Sequence, residues 1–173
     1  MEQYANARLT LRSSGTPQKR GAPQLYVRHS IFYIGESPVT TDTKCTFQIT
    51  GWDEKTYQEI EGSAKLSNAK VTLSYSGAIE GTSSIEYLMS YSVHGTATFV
   101  GLERVSGTVD GKTGTFVLQH IGSFSEGKAR SSWSIVPGSG TGALASLRGK
   151  GSYVAGHGEP AQVSFSYSFE SNA

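Results

Sequence analysis

Residues 84–136 read SIEYLMSYSVHGTATFVGLERVSGTVDGKTGTFVLQHIGSFSEGKARSSWSIV, and this stretch decides the fold. Alternating apolar and polar residues are interrupted at His94-Gly95, Asp110-Gly111 and Glu126-Gly127. An X-Gly pair between two such segments supplies the positive φ of a two-residue hairpin turn, so four consecutive antiparallel strands are expected. If every turn is a two-residue loop, Val93 faces Thr96, Val109 faces Lys112 and Ser125 faces Lys128, and the register of the whole ribbon follows.

That register sorts the ribbon into two faces. One carries Ile85, Tyr87, Met89 and Tyr91 beside Val100, Leu102, Val117 and Ile121. The other carries Glu86 and Leu88 beside Phe99, Gly101, Glu103, Phe116, Leu118, His120, Trp133 and Ile135. On this second face Glu86 is expected opposite Glu103, His120 opposite both Gly101 and Trp133, and His120 diagonal to Glu103.

Outward from the ribbon, short alternating segments continue. Residues 44–50 place Cys45, Phe47 and Ile49 on one face before Gly51-Trp52-Asp53-Glu54, read as a break. Residues 64–76 place Val71, Leu73 and Tyr75 together. After a glycine-rich loop at 137–142 and one helical turn near 143–147, strands are expected at 151–155 and 161–170, the latter with Val163, Phe165, Tyr167 and Phe169 on one side. No amphipathic helix of three turns is visible, which excludes βαβ units and a parallel sheet. About eight antiparallel strands without covering helices are best satisfied by closing the sheet on itself, so an all-β, small antiparallel β-barrel is expected.

The chain has 173 residues, 21 of them Gly and nine Tyr, and suits one barrel domain at residues 44–173. Residues 1–43 form an N-terminal extension, an edge strand or an arm reaching a neighbouring subunit. A net charge of +1 gives no basic surface for nucleic acid or an anionic membrane. With Cys45 the only cysteine, no internal disulfide or thiolate cluster can form, and a reducing location is expected. The N-terminus lacks the basic and apolar regions of a secretory signal, and no apolar run reaches membrane-spanning length. A soluble, cytoplasmic protein is the expectation.

Placed inside a barrel, the second face becomes an apolar pocket with few convergent polar groups, the usual makeup of a small-molecule site. The candidate catalytic residues are Glu86, Glu103 and His120; Leu88, Phe99, Phe116, Leu118 and Trp133 are the candidate ligand-binding walls. A carboxyl of raised pKa could act as acid, with the other Glu or His120 as base. The plainer alternative leaves Glu86 and Glu103 in water, or Glu103 paired with Arg148 or Arg130, and His120 as a satisfied core histidine. The four histidines show no metal-ligand spacing, so no metal is expected. The loop GSGTG at 138–142 lacks the ending of a phosphate loop, Ser139 lacks the setting of a nucleophile elbow, and Cys45 reads as an inert buried thiol.

The runs GWDEKTY, IEYLMSY, FVGLERVSGTVDGKTGTFVLQHIGSF and WSIVPGSGTGALASLRGKGSY, spread over residues 46–170, resemble an uncharacterised bacterial domain-of-unknown-function family with an allene-oxide-cyclase-like β-barrel. The resemblance implies a small antiparallel barrel, often assembled into homo-oligomers, and brings no established activity. The wider fold group includes allene oxide cyclases and dirigent proteins, which confine a reactive intermediate without a cofactor. By that analogy the expected ligand is a small apolar molecule, no cofactor is needed, and cyclase or isomerase chemistry is one reading. A non-catalytic carrier or sensor is a second. A structural module with a filled interior, and Tyr87, Met89 and Tyr91 at a subunit interface, is a third.

Overall fold

The computed structural model describes residues 39–156 and 158–170, so most of the N-terminal extension expected at 1–43 lies outside the described residues. Eight antiparallel strands follow one another around a closed barrel: β1 (Thr41–Glu59), β2 (Lys65–Gly77), β3 (Ile79–Tyr91), β4 (Ala97–Val109), β5 (Lys112–Ser125), β6 (Lys128–Ile135), β7 (Leu147–Ala155) and β8 (Ala161–Phe169). Each strand pairs with its neighbours in sequence, and β1 closes the ring by pairing Thr41–Phe47 with β8. Closure leaves no strand with a wholly open edge, which is what an alternating chain without helices needs.

Two of the three hairpin turns follow their sequence. Asp110-Gly111 and Glu126-Gly127 both adopt positive φ at both positions, so Val109 pairs with Lys112 and Ser125 with Lys128. The third does not. Only Gly95 has positive φ between β3 and β4, and Tyr91 pairs with Ala97. The Ser92 amide donates to the Thr96 carbonyl at 2.9 Å, and the Gly95 amide to Ser92 at 3.3 Å. This is a three-residue loop with glycine in the left-handed position. The Ser92 hydroxyl holds it, bonding Thr96 Oγ1 at 2.8 Å and accepting from the His94 amide at 3.2 Å.

One extra loop residue exchanges the two faces of β3. Ile85, Tyr87 and Met89 point inward, and Ile85 stands opposite Glu103. Glu86 stands opposite Leu102 on the outside, so the expected Glu86–Glu103 pair is not formed. The inward sets on β4, β5 and β6 are those expected, with His120 opposite Gly101 and Trp133.

Strand β1 also differs from its reading. Gly51 does not end it; a bulge between Ile49 and Gly51 lets it run on to Glu59. The bulge switches which residues face the interior side, from Cys45, Phe47 and Ile49 to Trp52 and Glu54, whose partners on β2 are Val71 and Ala69. Beyond Phe47 this strand pairs with β2 alone, while β2 itself remains paired with β3 as far as Lys65.

The two ends of the barrel are finished differently. At the end bearing the β4–β5 turn, the loop after β6 is stitched to β5: the Thr115 amide donates to Thr141 Oγ1 at 3.0 Å and the Val117 amide to Ser139 Oγ at 3.0 Å. A 3-10 turn, η1 (Gly142–Leu144), then lays Leu144 into the interior, where it is fully buried with Ile79, Val109, Phe116 and Leu147. At the other end, bearing the β3–β4 and β5–β6 turns, the interior remains open.

Candidate functional site

Four strands build a polar cluster in the middle of the barrel. Glu103 on β4 and His120 on β5 are fully buried, with His120 Nε2 2.8 Å from Glu103 Oε2. The Tyr75 hydroxyl, from β2, donates to Glu103 Oε1 at 2.9 Å. Ser131 on β6 lies 3.3 Å from His120 Nδ1 and donates to the Ile121 and Ser132 carbonyls at 3.3 and 3.4 Å. Both carboxylate oxygens and both ring nitrogens are thus engaged, as burial of such groups requires. Burial, then the charge of Glu103 and the bond to it, push the Tyr75 hydroxyl well above its usual range. Arg148 bonds Glu170 instead, at 2.9 and 2.6 Å.

Above this cluster two tyrosines meet. Tyr87 on β3 and Tyr153 on β7 stand four strands apart in a ring of eight, on opposite walls. Their hydroxyls nevertheless lie 3.2 Å apart, so the two rings span the interior and meet near its axis. Tyr87 can lean inward because its partner on β4 is Gly101, where a Cβ would come within 2.6 Å of the Tyr87 ring. Gly122 makes the same allowance for the Phe99 ring. Burial is the largest cause raising both phenols, and the Glu103 charge adds to it. Both therefore remain neutral hydroxyls at any ordinary pH.

The tyrosine pair is the floor of a cavity of about 210 Å³. Its walls include Phe47, Val71, Leu73, Met89 and Phe99, and its mouth includes Ile49, Trp52, Tyr91, Phe124 and Ala155. One carboxylate organises the mouth. Glu54 accepts from Trp52 Nε1 at 3.2 Å, Tyr91 Oη at 3.1 Å and the buried Ser67 hydroxyl at 2.7 Å. Lys65 sits 3.8 Å from Glu54 and over the Tyr91 ring. Burial and Glu54 push the Tyr91 phenol up to about 12.

Of the residues named from sequence, the structure brings Glu103 and His120 into direct contact and places Phe99 on a cavity wall. Phe116, Leu118 and Trp133 are buried in the interior but belong to the packed part beneath the floor. Glu86 and Leu88 do not join them. Leu88 is 53% exposed, and Glu86 pairs with Lys70 at 3.1 Å on the outer surface. Tyr75, Tyr87, Ser131, Tyr153 and Glu54 were missed. Ser131 carried a usable signal, a polar residue sharing the inward parity of Trp133 and Ile135; Tyr75 was read only as part of an apolar strand face, Tyr87 as a residue of a subunit interface, and Tyr153 was not singled out. Among the described residues no group of three or more His, Cys, Asp or Glu is placed to hold a metal, and no helix is long and apolar enough to cross a membrane.

A closed eight-stranded antiparallel barrel, capped at one end and holding an aromatic pocket at the other, defines the structural class. Residues 43–167 match the family described as a protein of unknown function, DUF3224, and the chain belongs to that family. A crystal structure of a DUF3224 protein of unknown function from Shewanella oneidensis MR-1 is similar, with a TM-score of 0.67 and 28% sequence identity; the match covers 77% of this chain and 100% of that one. No curated protein matches the sequence.

Proposed function

We propose that this barrel binds a small, largely apolar molecule in the open end of its interior. The observation that carries the reading is the cavity of about 210 Å³ walled by aromatic and aliphatic side chains above a buried pair of tyrosine hydroxyls. An apolar cavity of about 150 Å³ is enough to take up a benzene-sized molecule, and a few fixed polar groups in apolar surroundings are the usual makeup of a ligand site. A saturable rise in fluorescence of N-phenyl-1-naphthylamine is the expected signal. Ala155→Trp, which fills the mouth, should abolish it, and Leu88→Ala on the outer surface should not. Equal signals from Ala155→Trp and the parent would sink the assignment.

Cofactor-independent isomerisation or cyclisation is the second reading, and one feature favours it. Glu103 and His120 lie just under the floor, with Ser131 joining His120 to the wall that carries Tyr153. The carrier reading is favoured by the full internal satisfaction of that pair. Mass spectrometry of a bound molecule before and after incubation separates the two: an unchanged mass and retention time favours carriage, an altered product favours catalysis.

Assembly into a homo-oligomer is part of the proposal. With the faces of β3 exchanged, Tyr87 and Met89 are interior residues, and the outward apolar strip is Leu88, Val100, Leu102 and Ile121, each at least half exposed. Burying such a strip against another copy is favourable, and light scattering over a dilution series checks it. A reducing, cytoplasmic setting is likewise proposed, supported by Cys45 being a free buried thiol.

A further inference from the structure

Two hydroxyls brought together at the end of an apolar cavity bias what fills it. The Tyr87–Tyr153 bond is made from opposite walls at 3.2 Å, and both rings line the cavity. A mutual bond between two phenols uses one of their two hydrogens; the other can go to Ser131, the cross-strand neighbour of Tyr153, or to an acceptor in the cavity. On the cavity side, the wall residues Phe47, Val71, Leu73, Met89 and Phe99 offer no strong acceptor. A bound molecule that brings an oxygen acceptor gains a hydrogen bond from the pair at the cavity face, and one that does not forgoes it.

Charge narrows the class further. No Lys, Arg or His lines the cavity, so an anion entering it would lose its hydration without a counter-charge. The carboxyl of Glu103 lies beneath the floor, and its charge disfavours a second negative charge at either phenol. The walls favour a flat ring system: Phe47 stands edge-on to Tyr153 with centroids 4.9 Å apart, and Phe99 edge-on to Tyr87 at 5.0 Å. Between these two perpendicular pairs a planar molecule can present both face and edge to aromatic partners.

We propose that the pocket selects neutral, planar, mostly hydrocarbon molecules bearing a carbonyl oxygen, and that the Tyr87–Tyr153 pair donates the hydrogen bond that recognises it. The inference rests on the pocket being a binding site and adds the ligand class. It assigns Tyr153 and Tyr87 as specificity-determining residues.

Three probes of nearly equal size test it: 2-acetylnaphthalene, 2-ethylnaphthalene and 2-naphthoate, each titrated calorimetrically into the full-length protein at neutral pH. The ketone should bind about 5- to 10-fold more tightly than the hydrocarbon, the difference one net hydrogen bond makes, and the carboxylate should bind most weakly. In Tyr153→Phe or Tyr87→Phe, which keep the rings and so the walls, the preference for the ketone should shrink toward parity while the hydrocarbon binds as before. If the hydrocarbon binds as well as the ketone, or both variants retain the full preference, the ligand class is wrong and the pocket survives as a binding site. Should the carboxylate bind best, selection against charge is overturned. If none of the three binds, the pocket reading falls and takes this inference with it.

Discussion

The two halves of the barrel interior are built from the same alternating strands and end up with opposite properties. In the capped half, Leu144 from η1 fills the space among Ile79, Val109, Phe116 and Leu147, and all five are fully buried. In the open half β1 runs on past its pairing with β8, held by β2 alone, and aromatic side chains border a cavity instead of interlocking. Between them lie the Tyr87–Tyr153 floor and the Glu103–His120 pair. Packing to the density of a crystal stabilises a fold, whereas a cavity forgoes those contacts. The first half thus holds the barrel together and the second leaves an open cavity.

Substitutions should show this gradient, with costs falling from the centre and cap toward the mouth and the outer surface. Glu103→Ala leaves His120 and Tyr75 buried without their shared partner and should cost about 3–5 kcal/mol, measured by urea unfolding. A cost within about 0.5 kcal/mol would show that the pair is not coupled in the fold. Leu144→Ala opens a cavity in the capped half and should cost about 2–5 kcal/mol. A much smaller loss there would mean that the cap is not part of the cooperative core.

Met89 and Leu88 sharpen the comparison by testing the register itself. Met89→Ala removes a cavity wall and should cost about 2 kcal/mol, the low end for a buried methionine. Leu88→Ala on the outer surface of the isolated barrel should stay within about 0.5 kcal/mol. The reverse order would restore the two-residue turn and put Leu88 inside.

A further effect concerns pH. Cys45 in the interior has its thiol raised to about 11, chiefly by burial, with the Glu103 charge adding and a backbone bond from Ile79 opposing. The folded protein then keeps its proton where the unfolded chain has lost it. Stability from this group is fully present below about pH 9 and is lost as pH rises toward about 11. Buried tyrosine hydroxyls that are raised act in the same direction. Alkylation of Cys45 at pH 8 should therefore be slow in the native protein and fast in urea; equal rates would show that the thiol is not buried.

Much of the barrel was legible because its signals are local. Asp110-Gly111 and Glu126-Gly127 announce their turns, and the parity of Phe99, Glu103, Leu118, His120 and Trp133 follows from them. The His94-Gly95 pair misled because an X-Gly end serves both a two-residue turn and a three-residue loop. A second signal in β3 favoured the loop: Ile85, Tyr87 and Met89 make a more apolar face than Glu86, Leu88 and Ser90. The same slip that moved Glu86 and Leu88 outside brought Tyr87 to the floor, so one residue of register decided half the site. Gly51 misled in another way. It was read as a break and serves as a bulge, which carried Trp52 and Glu54 to the mouth.

By itself the sequence determined the four strands of the central ribbon, two of their three turns, and the inward placing of Glu103 and His120, because a period of two and a turn's φ are properties of a few adjacent residues. Only the tertiary structure decided which end is capped, that Tyr87 and Tyr153 meet across the barrel, and that Tyr75 and Ser131 complete the polar cluster. The two tyrosines are 66 positions apart on opposite walls, and their contact exists only once β1 has paired with β8. Closure of the ring turns separate strand faces into a single interior, and no local pattern specifies what meets at its axis.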